Sequence, residues 1–401
     1  MTPAMRGWLL CWVAGMAGLL MTAVVSAAQP SATDSEAEDR SEYVSAAPHA
    51  ILIDAASGET IYEKDADSLF APASMAKLMT AILAFDALKN KNITPEQEFP
   101  ISVNAWRKGG APSGSSTMYA EVNSSISVHN LLMGALTISG NDACIALAEG
   151  IAGSEEAFAT QMTERARALG LNRSVFTNAT GLPDPQMRTT ARELAEMARY
   201  IIRTYPEEYR TYFGRPEFTW NKIRQHNRNP LLGVVPGVDG LKTGHTKEAG
   251  FGLVASAERN GRRLILVVAG LKTARDREAE ASKLLAWGFG HYKTWTLFQS
   301  EEAVGKARVW GGDRSWVSLV AHEPIRLMLT NNERARTTAQ IVYKGPLYAP
   351  VNVGDEIGII RFSLDGKLLV QVPLYAGNEV LPAEGMLRRA VDTLSLMVFG
   401  S

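Results

Sequence analysis

The 401-residue sequence contains only two cysteines, and neither sign of charge is in excess. A disulfide framework is therefore excluded. A basic nucleic-acid-binding surface is not expected either, because 41 Lys and Arg residues are balanced by 42 Asp and Glu residues. No histidine pair has the H-x-x-x-H spacing of a zinc site, and no G-x-x-x-x-G-K-[ST] run indicates a nucleotide. The 46% apolar content is typical of a globular protein, and the length of 401 residues predicts more than one domain.

One long apolar run is present, from Trp8 to Val25, after a basic start and before small residues. This layout predicts a secretory signal peptide of residues 1–28, cleaved after Ala27 or Ala28. A retained membrane anchor is the alternative, because the run is just long enough to span a bilayer. Cleavage would leave Cys144 as the only cysteine and place the protein outside the cytoplasm.

The rest of the chain divides by its patterning into four parts. Residues 29–45 are acidic and lack apolar periodicity, which predicts a solvated linker. Residues 46–292 alternate strand pairs with helices, which indicates a mixed sheet with helices packed on it. The predictions there include a hairpin at Arg259-Asn260-Gly261 and a helix over Ala191 to Thr204. Residues 293–384 contain short apolar runs separated by Gly, Pro, Asp and Asn, which predicts a small all-β domain. Residues 385–401 have helical amphipathicity.

The first motif with chemical meaning is Ser74-Met75-Ala76-Lys77, at the start of a helix predicted over Met75 to Leu88. Helical spacing places Lys77 within reach of the Ser74 hydroxyl. A neutral lysine amine can take the proton of that hydroxyl and make the serine a nucleophile. A capping serine followed by a solvated lysine is the structural alternative.

Two further motifs follow in order, Ser139-Gly140-Asn141 between two predicted helices and Lys242-Thr243-Gly244 before a predicted strand. Alone, the first reads equally as an inter-helix turn and the second as an exposed loop. A lysine, a hydroxyl and a glycine at a strand edge can also bind a carboxylate and let backbone approach closely. Another S-x-N match, Ser102-Val103-Asn104, lies before a Gly/Ser-rich loop and is set aside.

S-x-x-K, S-x-N and K-T-G in this order form the signature of penicillin-binding proteins and serine β-lactamases. From about Ala50 onward the chain resembles the low-molecular-mass penicillin-binding proteins that are serine-type D-Ala-D-Ala carboxypeptidases. The resemblance implies an α/β (α+β) transpeptidase-like domain, with an antiparallel sheet flanked by helices. A small all-β domain and a C-terminal amphipathic helix would follow it.

The resemblance implies a role for each motif residue. Ser74 would be the acylated nucleophile and Lys77 its general base. Ser139 would relay protons, and Asn141 would hold a substrate side-chain amide. Lys242 would supply positive charge that keeps the Lys77 amine partly neutral.

The remaining roles concern substrate binding. Thr243 would bind the terminal carboxylate, and Gly244 would let the backbone approach. The backbone N–H groups of Ser74 and His245 would form the oxyanion hole. Arg277 and Arg228 match further cleft arginines, although a surface role fits them equally well at this stage. A Ser-His-Asp role for His245 has no identifiable carboxylate partner in the sequence.

The expected reaction is acyl transfer without a cofactor. Ser74 would attack the penultimate D-alanine of a peptidoglycan stem peptide, release the terminal D-alanine, and be acylated by β-lactams. A β-lactamase, a D,D-endopeptidase and a non-catalytic peptidoglycan-binding protein are the alternatives. The extra β domain disfavours the first two, and intact Ser74, Lys77 and Lys242 disfavour the third.

The final residues predict where the enzyme acts. One helical face contains the apolar side chains of Met386, Leu387, Ala390, Val391, Leu394, Met397 and Val398. This stretch is too short to span a bilayer, so residues 386–401 are expected to attach reversibly to the membrane surface. Packing on the β domain is the alternative. The expected location is the periplasmic face of the inner membrane. A lid role for Arg107 to Thr117 stays open.

Overall fold

The computed structural model describes residues 20–25 and 43–383, which form two compact units. The larger unit contains residues 43–290, and the smaller combines residues 291–383 with strand β1, Leu20–Val25. The predicted signal peptide, most of the predicted linker and the predicted C-terminal helix otherwise lie outside the described residues. Within the described ranges, no helix is both long and apolar enough to cross a bilayer.

The larger unit is a layered α/β structure. Its strands are β2 His49–Asp54, β3 Thr60–Lys64, β4 Glu98–Pro100, β5 Ser125–Ser127, β6 Glu217–Trp220, β7 Ile223–His226, β8 Val238–Thr246, β9 Gly250–Arg259 and β10 Arg262–Leu271. Its helices are α1 Lys77–Lys89, α2 Val103–Gly109, α3 Val128–Thr137, α4 Asn141–Ala152, α5 Glu155–Ala168, α6 Ala191–Thr204, α7 Pro206–Tyr212 and α8 Ala274–His291.

The central sheet has the order β3-β2-β10-β9-β8, and every neighbouring pair is antiparallel. Its middle strands are buried on both faces because helices cover the sheet. The β9–β10 hairpin turns at Asn260 and Gly261, which have φ values of 51° and 75°. Positive φ at both positions is what a two-residue hairpin turn requires, and Asn-Gly adopts it readily. This confirms the predicted fold class and its hairpin.

Helices α1 and α4 lie in the centre of the unit. Buried residues occur all around α1, including Leu78, Ile82 and Phe85. A helix that is apolar on every side is an interior helix rather than a surface one. Lys77 is the first residue of α1 and Asn141 the first of α4, so the polar motif residues stand at the ends of two buried helices.

The smaller unit is almost entirely β structure. Its further strands are β11 Lys293–Phe298, β12 Ala303–Trp310, β13 Trp316–Val320, β14 Ile325–Leu329, β15 Thr337–Lys344, β16 Leu347–Tyr348, β17 Glu356–Leu364 and β18 Lys367–Ala376. Seven strands form one sheet in the order β1-β15-β17-β18-β13-β12-β16, while β11 pairs with β14. The predicted all-β domain is confirmed, with one short helix, α9 Asn331–Arg336, added by a Thr330–Glu333 capping box.

Several local predictions differ from the structure. The helix predicted from Met75 begins at Lys77, because Ala73–Ala76 forms a 3₁₀ turn in front of it. Helices α2 and α7 and the β6–β7 hairpin were not predicted. Ser102, part of the S-x-N match set aside, caps α2 by accepting a hydrogen bond from the Ala105 N–H.

Candidate active site

The 3₁₀ turn Ala73–Ala76 presents Ser74 beside the start of α1. Lys77 Nζ lies 3.0 Å from Ser74 Oγ. The Lys77 side chain is completely buried, which is rare for lysine and needs hydrogen-bond partners. The spacing of three residues therefore produces the expected serine–lysine pair.

Two carbonyl oxygens complete the surroundings of the Lys77 amine. Nζ donates to Asn141 Oδ1 at 2.7 Å and to the Thr180 backbone oxygen at 2.6 Å. A neutral amine has two N–H groups and one lone pair, and carbonyl oxygens can only accept. In its neutral form, Lys77 would direct both N–H groups to Asn141 and Thr180, which leaves the lone pair for the Ser74 hydroxyl.

Burial lowers the pKa of Lys77, since taking an ammonium group out of water disfavours its charged form. Asp142 and Cys144 lie near enough to oppose part of this effect. The sequence interpretation attributed the lowered pKa to the charge of Lys242, whereas in the structure burial is the dominant cause. The neutral form required of a general base is therefore favoured by the position of Lys77 inside the domain.

The second motif forms the turn between α3 and α4. Ser139 has a φ of 65°, a left-handed conformation that directs the chain from one helix into the next. The Asn141 side chain, held by Lys77 on one side, donates through Nδ2 to Ser115 Oγ at 2.9 Å. The Asn141 N–H donates to the Ser116 backbone oxygen at 2.8 Å. The turn is therefore tied both to the lysine and to the 111–120 segment.

The third motif lies on β8, the edge strand of the central sheet. Lys242 is buried, and its Nζ donates to the Thr243 backbone oxygen at 3.0 Å. Burial, and then the positive charge of Lys77, lower the pKa of Lys242 well below its ordinary value. A second cation buried in the same site is disfavoured because like charges repel each other there.

Gly244 allows β8 to pack against the 3₁₀ turn that carries Ser74. A Cβ at Gly244 would lie 2.9 Å from the Pro72 backbone oxygen and 3.1 Å from Met75 Cγ. Contacts this short are not tolerated without displacement of the turn. The glycine of K-T-G is therefore explained by close approach of the strand to the nucleophile turn.

A cleft of about 450 Å³ opens above these residues. It is lined by Ser74, Gly114, Ser115, Ser116, Ser139, Arg228, Thr243, Gly244, His245, Phe251 and Arg277. Lys77, Asn141 and Lys242 are buried behind this lining. Lys77 hydrogen-bonds to the lining residue Ser74, and Asn141 hydrogen-bonds to the lining residue Ser115. The structure thus brings all ten predicted site residues together around one opening.

The two cleft arginines have no acidic partner in the described residues of the cleft. Arg277 is largely buried, its guanidinium lies over the Phe251 ring at 5.7 Å, and its Nε makes no hydrogen bond within the described chain. Burial lowers the pKa of Arg277. Within the described chain, the guanidinium group of Arg228 donates to two neutral oxygens, those of Ile138 and Gln225. Such guanidinium groups are suited to a carboxylate supplied by a ligand.

His245 contributes a ring to the same wall. Its imidazole stacks on Phe251 with a centroid separation of 3.8 Å and is exposed on its other side. Across residues 43–383, no carboxylate hydrogen-bonds to His245. The stacked ring gives no support to a Ser-His-Asp arrangement.

The sequence analysis missed Thr180, whose carbonyl oxygen is a direct partner of Lys77. Asn178 Oδ1 accepts from the N–H groups of Thr180 and Gly181, which fixes the turn that aims this carbonyl. Gly181 has a φ of 79°, and a Cβ there would lie 1.9 Å from the Ala73 backbone oxygen. An Asn-x-x-Gly turn is readable from sequence. Nothing in that pattern connects it with Lys77.

The sequence analysis also missed Asp142, which holds the 111–120 segment at the cleft. Its buried carboxylate accepts from Thr117 Oγ1 at 2.6 Å, the Met118 N–H at 2.9 Å and the Ala120 N–H at 3.1 Å. Thr117 is the last residue of the Arg107 to Thr117 stretch suspected of acting as a lid, so this stretch is held at its C-terminal end. Its Ser115 and Ser116 form part of the cleft wall.

This arrangement is suited to acyl transfer. A hydroxyl nucleophile faces a buried amine whose pKa is lowered by burial, and cationic groups stand where a carboxylate could bind. The edge strand β8 places Thr243, Gly244 and His245 at the same opening. No redox or nucleotide chemistry is needed to use these groups.

Comparison with known proteins gives consistent matches over both units. Residues 34–273 match the family model described as D-alanyl-D-alanine carboxypeptidase, and residues 292–381 match the C-terminal domain of penicillin-binding protein 5. The D-alanyl-D-alanine carboxypeptidase DacC of Escherichia coli (strain K12) is 41% identical over 333 residues, covering 82% of this chain and 83% of that protein.

Solved structures are also similar. Penicillin-binding protein 5 of Haemophilus influenzae has a TM-score of 0.72 and 36% identity, covering 84% of this chain and 98% of that one. The ampicillin-bound form of penicillin-binding protein D2 from Listeria monocytogenes has a TM-score of 0.53 and 30% identity. It covers 62% of this chain and 98% of that one.

Proposed function

The chain belongs to the D-alanyl-D-alanine carboxypeptidase family, and we propose that Ser74 is the nucleophile with which it removes the terminal D-alanine from peptidoglycan stem peptides. Family membership makes it a serine-type hydrolase of the penicillin-binding class. The observation that carries the assignment is the 3.0 Å contact between Ser74 Oγ and the buried Lys77 Nζ at the cleft.

In the proposed acylation step, Ser74 Oγ attacks the carbonyl carbon of the penultimate D-alanine. Its proton moves to Lys77 Nζ, whose lone pair is directed at the hydroxyl by the two carbonyl partners. Collapse of the tetrahedral intermediate breaks the C–N bond, and the leaving D-alanine amine receives a proton relayed through Ser139. Water then adds to the ester and restores Ser74, with Lys77 again accepting a proton.

Substrate binding is assigned to the remaining cleft residues. Thr243 and the guanidinium groups of Arg277 and Arg228 bind the terminal carboxylate, which in turn favours the charged form of the buried Lys242 next to Thr243. The backbone N–H groups of Ser74 and His245 stabilise the oxyanion. The free Nε of Arg277 within the described chain supports this assignment.

The alternatives are less well supported. A β-lactamase or an endopeptidase would not call for the β-rich unit, whereas the match to DacC extends over 82% of this chain. A non-catalytic binder would not need a buried lysine beside a serine hydroxyl. Acylation by penicillins is expected at Ser74, since the related Listeria protein is known in an ampicillin-bound form.

The test is incubation of purified protein with a peptide ending in D-Ala-D-Ala, followed by a D-alanine assay. One D-alanine per peptide, with no cleavage of crosslinked dimers, supports the proposal. Cleavage of dimers alone would identify an endopeptidase, and rapid penicillin hydrolysis alone a β-lactamase. Penicillin labelling without any product would indicate a binding protein.

We also propose the cellular arrangement and chain division. Residues 1–28 direct export and are removed, so the mature protein lacks strand β1. Residues 29–45 form a linker, 46–292 the catalytic domain and 293–384 the β-rich domain. Residues 386–401 attach the enzyme to the periplasmic face of the inner membrane. A cell-wall substrate, which lies outside the cytoplasm, supports export. The amphipathic pattern of the final residues supports peripheral attachment.

A further inference from the structure

The exposed large apolar side chains of the smaller unit are concentrated at one end. Within its described residues, five such side chains are exposed by about half or more: Trp316, Tyr348, Val353, Leu381 and, at 46%, Leu368. The first four lie on the strand ends and loops around residues 310–316, 347–353 and 380–383, and only Leu368 lies on the β17–β18 hairpin. Clustering of this kind marks a contact surface more often than scattered apolar residues do.

Hydrogen bonding brings these segments together. Strand β16 runs parallel to β12, which sets Tyr348 beside Trp310 with ring centroids 5.5 Å apart. Trp316 is paired with Arg308 across the β12–β13 ladder. Leu381 exchanges two hydrogen bonds with Asp313, at 2.7 Å and 3.0 Å.

Basic side chains share this surface. Along β12, Lys306, Arg308 and Trp310 alternate with the buried Ala307 and Val309, so the first three face outward together. Arg314 is exposed in the following turn. We call this surface the aromatic face and define it by Lys306, Arg308, Trp310, Arg314, Trp316 and Tyr348.

Among the described residues of the smaller unit, Asp313 and Glu379 are acids near the aromatic face. Asp313 is occupied by the Leu381 N–H, and Glu379 is exposed on the neighbouring loop. Three basic side chains against two acids leave the surface mixed but slightly positive.

The chain leaves the described domain at this same end. The Ala383 N–H donates to the Gly311 oxygen at 2.9 Å, and Pro382 forms a bridge with Gly312. Residue 383 is therefore hydrogen-bonded to Gly311, which directly follows Trp310 in the sequence. The segment that follows, proposed above to attach to the membrane, begins next to the aromatic face.

We propose that the aromatic face is a second membrane-contacting surface, which lies in the headgroup region of an anionic bilayer. This inference rests on the proposed peripheral attachment through residues 386–401. Trp and Tyr are the side chains enriched at membrane interfaces, and neighbouring Lys and Arg pair with anionic headgroups. Leu381 and Val353 extend the apolar area toward the exit of the chain.

Sugar rings also stack on aromatic side chains, so a glycan strand of peptidoglycan is the competing occupant. The bilayer is favoured by the exit of the chain beside Trp310, since a short amphipathic segment cannot hold the domain far from the surface it binds. A second contact also compensates for the weak binding expected of so short a helix. Two attachment points would fix how the β-rich domain faces the membrane.

The test is co-sedimentation of the mature protein with vesicles of phosphatidylcholine mixed with phosphatidylglycerol. The double variant Trp316→Ser/Tyr348→Ser is expected to bind vesicles about tenfold more weakly. Partial burial of two aromatic side chains in the bilayer interface strengthens binding by about this factor. The double variant Lys306→Gln/Arg314→Gln should weaken binding about fivefold per cation, and only to anionic vesicles. Leu368→Ser, an exposed apolar residue of the same domain, is the matched control and should bind as the parent does.

Each variant is also prepared without residues 386–401, which separates this inference from the proposed anchor. If the truncation weakens binding and the aromatic variants match Leu368→Ser, the anchor stands and the aromatic face is excluded. If the aromatic variants lose binding but the truncation does not, the face stands and the anchor fails. Absence of any vesicle binding overturns both. Loss of binding to purified peptidoglycan, with vesicle binding unchanged, would assign the face to glycan and overturn the inference.

Discussion

Ser74 is half-buried at the mouth of the cleft, and its hydroxyl has Lys77 as its partner within the described chain. Replacing it with alanine removes the nucleophile while leaving the 3₁₀ turn and its packing in place. We expect Ser74→Ala to lose both D-alanine release and covalent penicillin labelling, with the unfolding temperature little changed. Ser68→Ala, the same change at an exposed serine, is the control. Labelling that persists in Ser74→Ala would assign the acyl ester elsewhere.

The protonation state of Lys77 governs the rate in the proposed mechanism. Because burial lowers the pKa of Lys77, its base form becomes populated below the ordinary lysine range. Activity should therefore rise with pH as the neutral fraction grows, and its midpoint should fall below ~10.4, the ordinary lysine pKa.

Two substitutions of Lys77 separate charge from packing. Lys77→Arg keeps a permanent positive charge that cannot accept a proton, and Lys77→Met is neutral and similar in length. Both should reduce acylation by at least about a hundredfold, the usual contribution of general-base catalysis. Thermal unfolding identifies any variant that fails to fold. Near-normal acylation in folded Lys77→Arg would rule out the general-base role.

At the scale of elements, the beginning of α4 holds the 111–120 segment through Asp142. Asp142→Asn replaces a carboxylate that accepts several hydrogen bonds with an amide that must point its NH₂ group at donors. We expect a loss of about 2 kcal/mol in the free energy of unfolding, the order of a charged hydrogen bond. Acylation should slow as well, because Ser115 and Ser116 lose their fixed position in the cleft wall.

A variant that is also destabilised, but away from the cleft, serves as the control for Asp142→Asn. Ser154→Ala removes the N-cap of α5 and should cost about 1 kcal/mol without touching the cleft. Penicillin acylation rates and denaturant unfolding are measured on both. If Ser154→Ala slows acylation as much as Asp142→Asn does, general destabilisation explains the effect and the segment is not positioned by Asp142.

Elements whose ends are set by residues close together in the sequence were predicted correctly. Helix α6 begins and ends at the predicted residues, Ala191 and Thr204, since Thr190 caps it and its apolar face has a clear period. The Asn260-Gly261 turn was predicted from those two residues alone, because both adopt positive φ readily. The S-x-x-K spacing likewise placed Lys77 beside Ser74, because three residues span one helical turn.

Contacts between distant segments could not be read in this way. Thr180 lies 103 residues from Lys77 and acts through its backbone, so its residue type carries no signal. Ser115 meets Asn141 because the Asn141 N–H and the Asp142 carboxylate both bind the segment that contains Ser115. The burial of Lys77 depends on how α1 packs within the whole domain, which no window of sequence contains. The dominant cause of its lowered pKa was therefore misassigned.

For the whole molecule, the location of the enzyme is separable from its chemistry. Deleting residues 386–401 should shift the mature protein from the membrane fraction to the soluble periplasm, with hydrolysis of a soluble peptide unchanged. Salt should release the full-length protein in part, because interfacial binding to anionic lipid is screened. Fractionation and a D-alanine assay check both statements. A truncated protein that still pellets with membranes would assign attachment to the signal segment or another surface.

The two buried lysines also make the protein exchange protons with its surroundings when it binds a ligand. Lys242 has a strongly lowered pKa, and a carboxylate arriving beside Thr243 would favour the ammonium form and raise that pKa. Between the two pKa values, binding then draws a proton from the buffer. Calorimetry of a non-hydrolysed carboxylate ligand should be run in buffers of different ionisation enthalpy. The measured binding heats should then differ in proportion to that enthalpy. Ligand affinity should accordingly fall as pH rises through this window, so an enzyme whose base works better in alkali would hold its substrate less tightly there.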